Sequence, residues 1–332
     1  MNKRNRALIG NFPPYGVIDK EHSDEINLGA PKQWNAGLVG TDWFAFREET
    51  LTMIADVLWP RYNRAEQRWE GDATEFMEEL TEADLRILMD LRVPHDSLDA
   101  LPDSPLYPQA QNCPDQRGLF RVEDLPGVFF HKFSCYDATL PPESCNLQKT
   151  FKFGVDNKCN PASTQFKQEL QRPRAYQTAF LFGFDFNLEH ATTSLTPSMC
   201  SGHCLQGMIG GGAIMEQLLS TGANVSPASW NALRQYTVDI GDRRVLAGVH
   251  YPADNLCSWI IALRMANAVL DPRVKPILSD AIFKNSMVYK RILASNNPVY
   301  APALELLEWS ARPSVSGTGS SLPETASLLH SI

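Results

Sequence analysis

Residues 243–254 read RRVLAGVHYPAD, and this stretch decides how the rest of the chain is read. Proline is tolerated in an α-helix only in the first turn, because its ring fixes φ and removes a backbone donor. A helix is therefore expected to begin at Pro252, with His250 just ahead of it and Asp254 in its first turn. A carboxylate at that spacing can accept the Nδ1 proton of the imidazole. That fixes the tautomer and leaves Nε2 with a lone pair, the form in which histidine is a nucleophile. Arg244 adds a cation six residues before His250.

Two earlier segments carry related chemistry. Residues 167–176 read KQELQRPRAY. Lys167 and Arg174 are seven apart, two helical turns, so they share a face if the helix persists; Pro173 opposes that. A lysine point charge and an arginine fork can together hold one tetrahedral oxyanion. Residues 200–203 read CSGH. Gly202 has no side chain to keep a ligand from the backbone amides, and a helix opening after Ser201 would favour an anion there. His203 then sits at the mouth of that anion site. Taken singly, each segment has an ordinary reading: a solvated helix face, a turn, a surface helix start. Arg172 and the histidines His22, His95, His131, His190 and His330 join no such pattern and are read as structural or solvated.

Together the three segments resemble the type-2 phosphatidic acid phosphatase and vanadium haloperoxidase superfamily. Its signature is K-x6-R-P, then P-S-G-H, then S-R-x5-H-x3-D. Lys167 and Arg174 match the first part, Ser201, Gly202 and His203 the second, and Arg244, His250 and Asp254 the third, in order and in spacing. Ala175, Cys200 and Arg243 depart from it, standing where the family has proline, proline and serine. Arg243 is read as a surface residue rather than an extra phosphate ligand. The resemblance implies an all-α helical bundle with the site between helices. In it Lys167, Arg174, Arg244 and the amides around Ser201 and Gly202 hold a phosphate. His250 attacks phosphorus, Asp254 orients His250, and His203 acts as acid and then as base. This implies a phosphatase with no metal and no cofactor, acting on a small phosphorylated substrate. The same resemblance leaves open a haloperoxidase holding vanadate with His250 as its axial ligand. A non-catalytic anion-binding module is the reading from a different class.

Composition bounds the partners. The chain has 332 residues, 43% hydrophobic and 20% charged, with a formal net charge of −8. That balance argues against a nucleic-acid or anionic-membrane surface, so an anion site must be built against an acidic background. The apolar run after the basic start, Ala7 to Gly10, is shorter than the roughly 7 to 15 residues of a secretory signal. The most apolar stretch, Leu256 to Leu270, is interrupted by Arg264 and falls short of the roughly 18 uncharged residues of a membrane span. A cytoplasmic location is expected, and with it free thiols rather than disulfides among the seven cysteines.

Three regions are expected. Residues 1–160 form an irregular and helical part, with helices over Asp42–Trp59 and, opened by a Thr81/Asp84 capping box, over Glu82–Arg92. His95 to Pro161 reads as irregular, with short strands near 127–130. Residues 161–311 form the helical core, with helices over Gln165–Arg172, Tyr176–Asn187, Gly202–Ser220, Pro227–Ile240, Pro252–Leu270 and Ala301–Trp309. Residues 312–332 read as a disordered tail. Gly210, Gly211 and Gly212 inside a helical pattern point to close helix–helix packing, since each costs about 1 kcal/mol against alanine.

Overall fold

The computed structural model describes residues 43–63, 65–70, 74–91, 144–185, 196–246 and 248–312. Helix α1 (Trp43–Val57) is followed by a small antiparallel hairpin, β1 (Tyr62–Asn63) and β2 (Arg68–Trp69), and by α2 (Thr74–Leu91). Then come α3 (Ser144–Lys158), α4 (Asn160–Leu170) and the short α5 (Ala175–Thr178), which continues into a 3-10 turn over Ala179–Phe182. Helices α6 (Gly202–Thr221), α7 (Pro227–Leu246) and α8 (Pro252–Val269) follow. The chain closes with α9 (Val274–Asp280), a π turn (Ala281–Asn285), α10 (Met287–Ser295), a 3-10 turn (Pro298–Tyr300) and α11 (Ala301–Ala311). The described residues are mostly helical, as the all-α expectation requires.

Helix α8 runs through the middle of the core. Every residue from Pro252 to Leu263 is buried, as expected of a helix that is apolar on nearly all sides. Arg264 breaks the run usefully. Its guanidinium pairs with Glu49 at 3.2 Å, donates to Thr50 at 3.0 Å and lies over the rings of Phe46 and Trp309. It thereby ties α8 to α1 and α11. Among the described residues no helix is long and apolar enough to cross a membrane.

Several expectations are corrected. Helix α2 begins at Thr74, so Thr81 and Asp84 lie inside it and form no capping box at its start. Residues 144–158, read as irregular, form α3. Of the stretch expected to be helical over 176–187, residues 176–182 form a single turn of α5 and a 3-10 turn, ended by Gly183 in the left-handed region at φ 75°, and 186–187 lie outside the described residues. Helix α7 runs on to Leu246, six residues past its expected end, and α9 and α10 were not anticipated. The residues expected to form the N-terminal arm, strands near 127–130 and the C-terminal tail from 313 lie outside the described residues.

The glycines of α6 mark close packing against its neighbours. A Cβ at Gly207 would lie 2.7 Å from the backbone oxygen of Thr237 in α7, and one at Gly211 would run into the Thr237 side chain. A Cβ at Gly210 would meet the Phe151 ring of α3 at 2.6 Å. Glycine at these places lets α6 approach α7 and α3 closely, and the helix-propensity cost is accepted in return. At Gly202 a Cβ would make only ordinary contact, 3.5 Å to Ser163. Packing therefore does not demand glycine at the head of α6.

Gly207→Ala should accordingly lower stability by about 1–3 kcal/mol, despite the roughly 1 kcal/mol gained in helix propensity. Gly202→Ala should leave stability within about 0.5 kcal/mol of the parent. Urea unfolding of the two variants measures this, and a Gly207→Ala protein as stable as the parent would contradict the packing account.

Candidate active site

The head of α8 folds as its sequence dictates. Tyr251 caps the helix in extended conformation, Pro252 takes the first helical position, and Asp254 the third. Asp254 Oδ2 lies 3.0 Å from His250 Nδ1 and accepts the Tyr251 N–H at 3.0 Å. With Nδ1 donating to Asp254, the other ring nitrogen is an acceptor. Arg174 Nη1 is 3.1 Å from it and donates to it. Burial first, then the charges of Arg174, Lys167, Arg244 and His203, hold the His250 pKa well below the usual histidine range. The imidazole is thus neutral, and its Nε2 lone pair is aimed among cations.

Lys167 and Arg174 do meet, but not along one helix face. Helix α4 ends at Leu170, and Gln171 takes the left-handed conformation at φ 50°. Pro173 forbids continuation, and it disfavours helical backbone at Arg172 as well. Arg174 stands in extended backbone at the head of α5. The two cations converge because both reach the segment 196–198. Lys167 Nζ donates to the carbonyls of Pro197 and, at 3.1 Å, Ser198. Arg174 Nε donates to the Thr196 carbonyl at 2.8 Å and its Nη1 to the Val249 carbonyl. Burial, and then Arg174, bring the Lys167 pKa down to about 7. Arg244 sits in the last turn of α7, where its carbonyl accepts the N–H groups of Val249 (3.1 Å) and His250 (3.3 Å).

Ser201 caps α6, its Oγ accepting the Cys204 N–H at 3.3 Å. Its own N–H donates to the Asp254 carbonyl at 3.3 Å, and its carbonyl accepts from Ser258 Oγ at 2.9 Å. The Ser201 amide is therefore committed to α8. The amides at the head of α6 are those of Gly202 and His203, since the first helical bond runs from Leu205 to Ser201. His203 is buried in that first turn. Cys200 packs inward: its Sγ lies 3.7 Å from the Ser163 carbonyl, and a hydrogen bond with the Cys257 thiol lowers its pKa. Cys159, Cys200, Cys204 and Cys257 are buried free thiols. Cys113 and Cys135 lie outside the described residues. Arg243, expected at the surface, is buried and donates to the Asp239 carbonyl one turn back in α7 at 3.1 Å.

Sequence reading missed three groups. Arg172, passed over as structural or solvated, is fully buried and reaches Asp254 Oδ1 at 3.2 Å and Asp84 Oδ2 at 2.8 Å. Asp84 comes from α2, 170 residues before Asp254, and no local pattern signals it. Ser198 donates to Asp254 Oδ1 at 3.3 Å. The only available hint was that Pro173 is flanked by two arginines, since both could be drawn to one site. The described residues hold no group of three or more histidine, cysteine, aspartate or glutamate side chains placed to bind a metal ion.

Comparison with known proteins adds no relative: no family model, no curated protein and no solved structure matches this chain.

Nitrogen NMR of the labelled protein, with His250 assigned from a His250→Gln variant, should show a neutral ring protonated at Nδ1 at pH 7. The ring should stay neutral as pH falls through about 6.5, where an ordinary histidine takes up its proton. A midpoint near the ordinary value would contradict the buried, cation-ringed site.

Proposed function

We propose that this chain is a phosphatase of the type-2 phosphatidic acid phosphatase and vanadium haloperoxidase kind, with the helical bundle that goes with it. It would hydrolyse a phosphate ester through a phosphohistidine at His250. The observation that carries the reading is a neutral His250, tied through Nδ1 to Asp254, with Arg174 at its other ring nitrogen and the charges of Lys167 and Arg244 acting on the ring. The signature match in order and spacing supports it further.

The chemistry follows from the groups present. A phosphate ester entering the site draws the Arg174 guanidinium from Nε2 onto a phosphoryl oxygen, which exposes the nucleophile. Lys167, Arg244 and the opening amides of α6 take the remaining oxygens. Nε2 attacks phosphorus as the ester P–O bond breaks, and His203 gives a proton to the departing alkoxide. The imidazole becomes cationic on phosphorylation, and Asp254 at 3.0 Å from Nδ1 stabilises that charge. His203 then takes a proton from water as the water attacks phosphorus, the P–N bond breaks, and neutral His250 returns. Preorganised cations aimed at a developing phosphoryl charge supply the largest share of such a rate enhancement. Proton transfer by His203 adds about 10²- to 10⁴-fold.

Phosphate release from nitrophenyl phosphate and from an alkyl phosphate tests the assignment. His250→Ala should abolish turnover of both. His203→Ala should lower the alkyl rate by about 10²- to 10⁴-fold and the nitrophenyl rate less, since nitrophenolate leaves without a proton. The kcat/KM of the parent should fall as pH rises through about 7, where Lys167 loses its charge. Orthovanadate should inhibit, because its trigonal-bipyramidal adduct imitates in-line transfer. Activity lost in chelator and restored by a divalent ion would contradict the mechanism. Bromide or chloride oxidation by peroxide after vanadate loading would favour the haloperoxidase use of the same pocket.

A further inference from the structure

The guanidinium of Arg172 lies where no phosphate could reach it. It is fully buried, sandwiched 3.9 Å from the Tyr251 ring and 4.9 Å from the Trp59 ring. Its Nη1 donates to Asp254 Oδ1 at 3.2 Å and its Nη2 to Asp84 Oδ2 at 2.8 Å. The two arginines flanking Pro173 therefore address the two halves of one unit. Arg174 takes the His250 ring nitrogen, and Arg172 takes the far oxygen of its carboxylate. Asp84 is itself anchored: its Oδ1 accepts the Tyr300 hydroxyl at 2.7 Å and the Ala253 N–H at 3.1 Å. Ala253 is in the first turn of α8, beside Asp254.

We propose that Asp84 and Arg172 are positioning residues for His250, acting through Asp254 and forming with it a buried Asp84–Arg172–Asp254–His250 relay. The relay does two things. The planar fork of Arg172 holds Asp254 Oδ1, which sets the carboxylate plane so that Oδ2 faces Nδ1. Asp84 then offsets the cation. Arg172 alone would neutralise Asp254 and leave little negative charge facing His250. With Asp84 present, two carboxylates share one guanidinium, and a net negative charge faces the imidazole as it becomes cationic. A bare fold staple needs neither feature, since an apolar residue of similar size often serves a buried contact as well as an ion pair does. The inference rests on His250 being the nucleophile, and it assigns to α2, outside the three signature segments, a part in the site.

The experiment compares Asp84→Asn, Arg172→Lys and Arg172→Met with the parent. Thermal unfolding shows which variants are folded. Nitrogen NMR of resting protein reads the His250 tautomer, and equilibrium dialysis reads binding of inorganic phosphate. In the parent, His250 is protonated at Nδ1. In Arg172→Met and Arg172→Lys, which cannot span both carboxylates, a second tautomer protonated at Nε2 should appear. In Asp84→Asn the tautomer should hold while kcat on nitrophenyl phosphate falls at least tenfold. Phosphate affinity should stay within threefold of the parent in every folded variant, because Lys167, Arg174 and Arg244 hold the oxyanion. The tautomer readout needs no turnover. A parent that hydrolyses no ester would therefore sink the phosphatase reading while leaving the orienting half of the relay to be judged by NMR alone. Folded Arg172 variants with the parent tautomer overturn the proposal. An active parent whose Asp84→Asn variant keeps its kcat overturns it too. Loss of the folded state in all three variants does the same, because the pair would then be a staple of the fold.

Discussion

Asp254 is fully buried in the first turn of α8, and its two oxygens take four donors from three parts of the chain. His250 and Tyr251 lie at Oδ2, Arg172 and Ser198 at Oδ1. A carboxylate out of water is tolerated only when its lone pairs are met and a cation is at hand. Stripping one partner from such a buried pair costs about 3–5 kcal/mol. Each of those donors is thus held to a narrow position, and with them the segments that carry them. The head of α8, the 172–174 bend and the 196–201 loop are fixed to one another through this one group. The cations that converge on His250 ride on the 172–174 bend, on α4 and on α7.

The rest of the core keeps that assembly in register. Ser201 is joined to α8 twice, through its N–H to Asp254 and its carbonyl to Ser258, so the head of α6 cannot move without α8. Farther along, α6 lies against α7 through Gly207 and Gly211, where one added carbon would collide with Thr237. Helix α7 ends at Arg244 and Leu246, and its last turn receives the N–H groups of Val249 and His250. A change in the α6–α7 spacing would therefore reach His203 and Arg244 together.

What the sequence disclosed was what depends on near neighbours. A proline at the first turn and a carboxylate four residues after a histidine are local facts, and α8 opens as they require. Ser201 before Gly202 gave the start of α6, and the glycine run gave its close packing. Lys167 and Arg174 come together, though not along one helix face: the helix stops before Pro173, and both reach the 196–198 carbonyls. Arg172 and Asp84 were not legible, because their meaning lies in partners 82 to 216 residues away and in no periodic pattern. Thr81 and Asp84 imitated a capping box whose real place is mid-helix. Cys200 stood only as a departure from the signature's proline; the structure adds that its thiol packs inward toward Ser163 and Cys257.

The most direct measurement is acid-free chemical quench of the protein mixed with a phosphorus-labelled ester, followed by peptide mapping. His203→Ala is the useful form, because without its base the phosphoryl-enzyme should outlive its formation. The account predicts label that survives alkali, is lost in acid, and maps to His250. No trapped label while single-turnover phosphate release proceeds, or label on another residue, would contradict it.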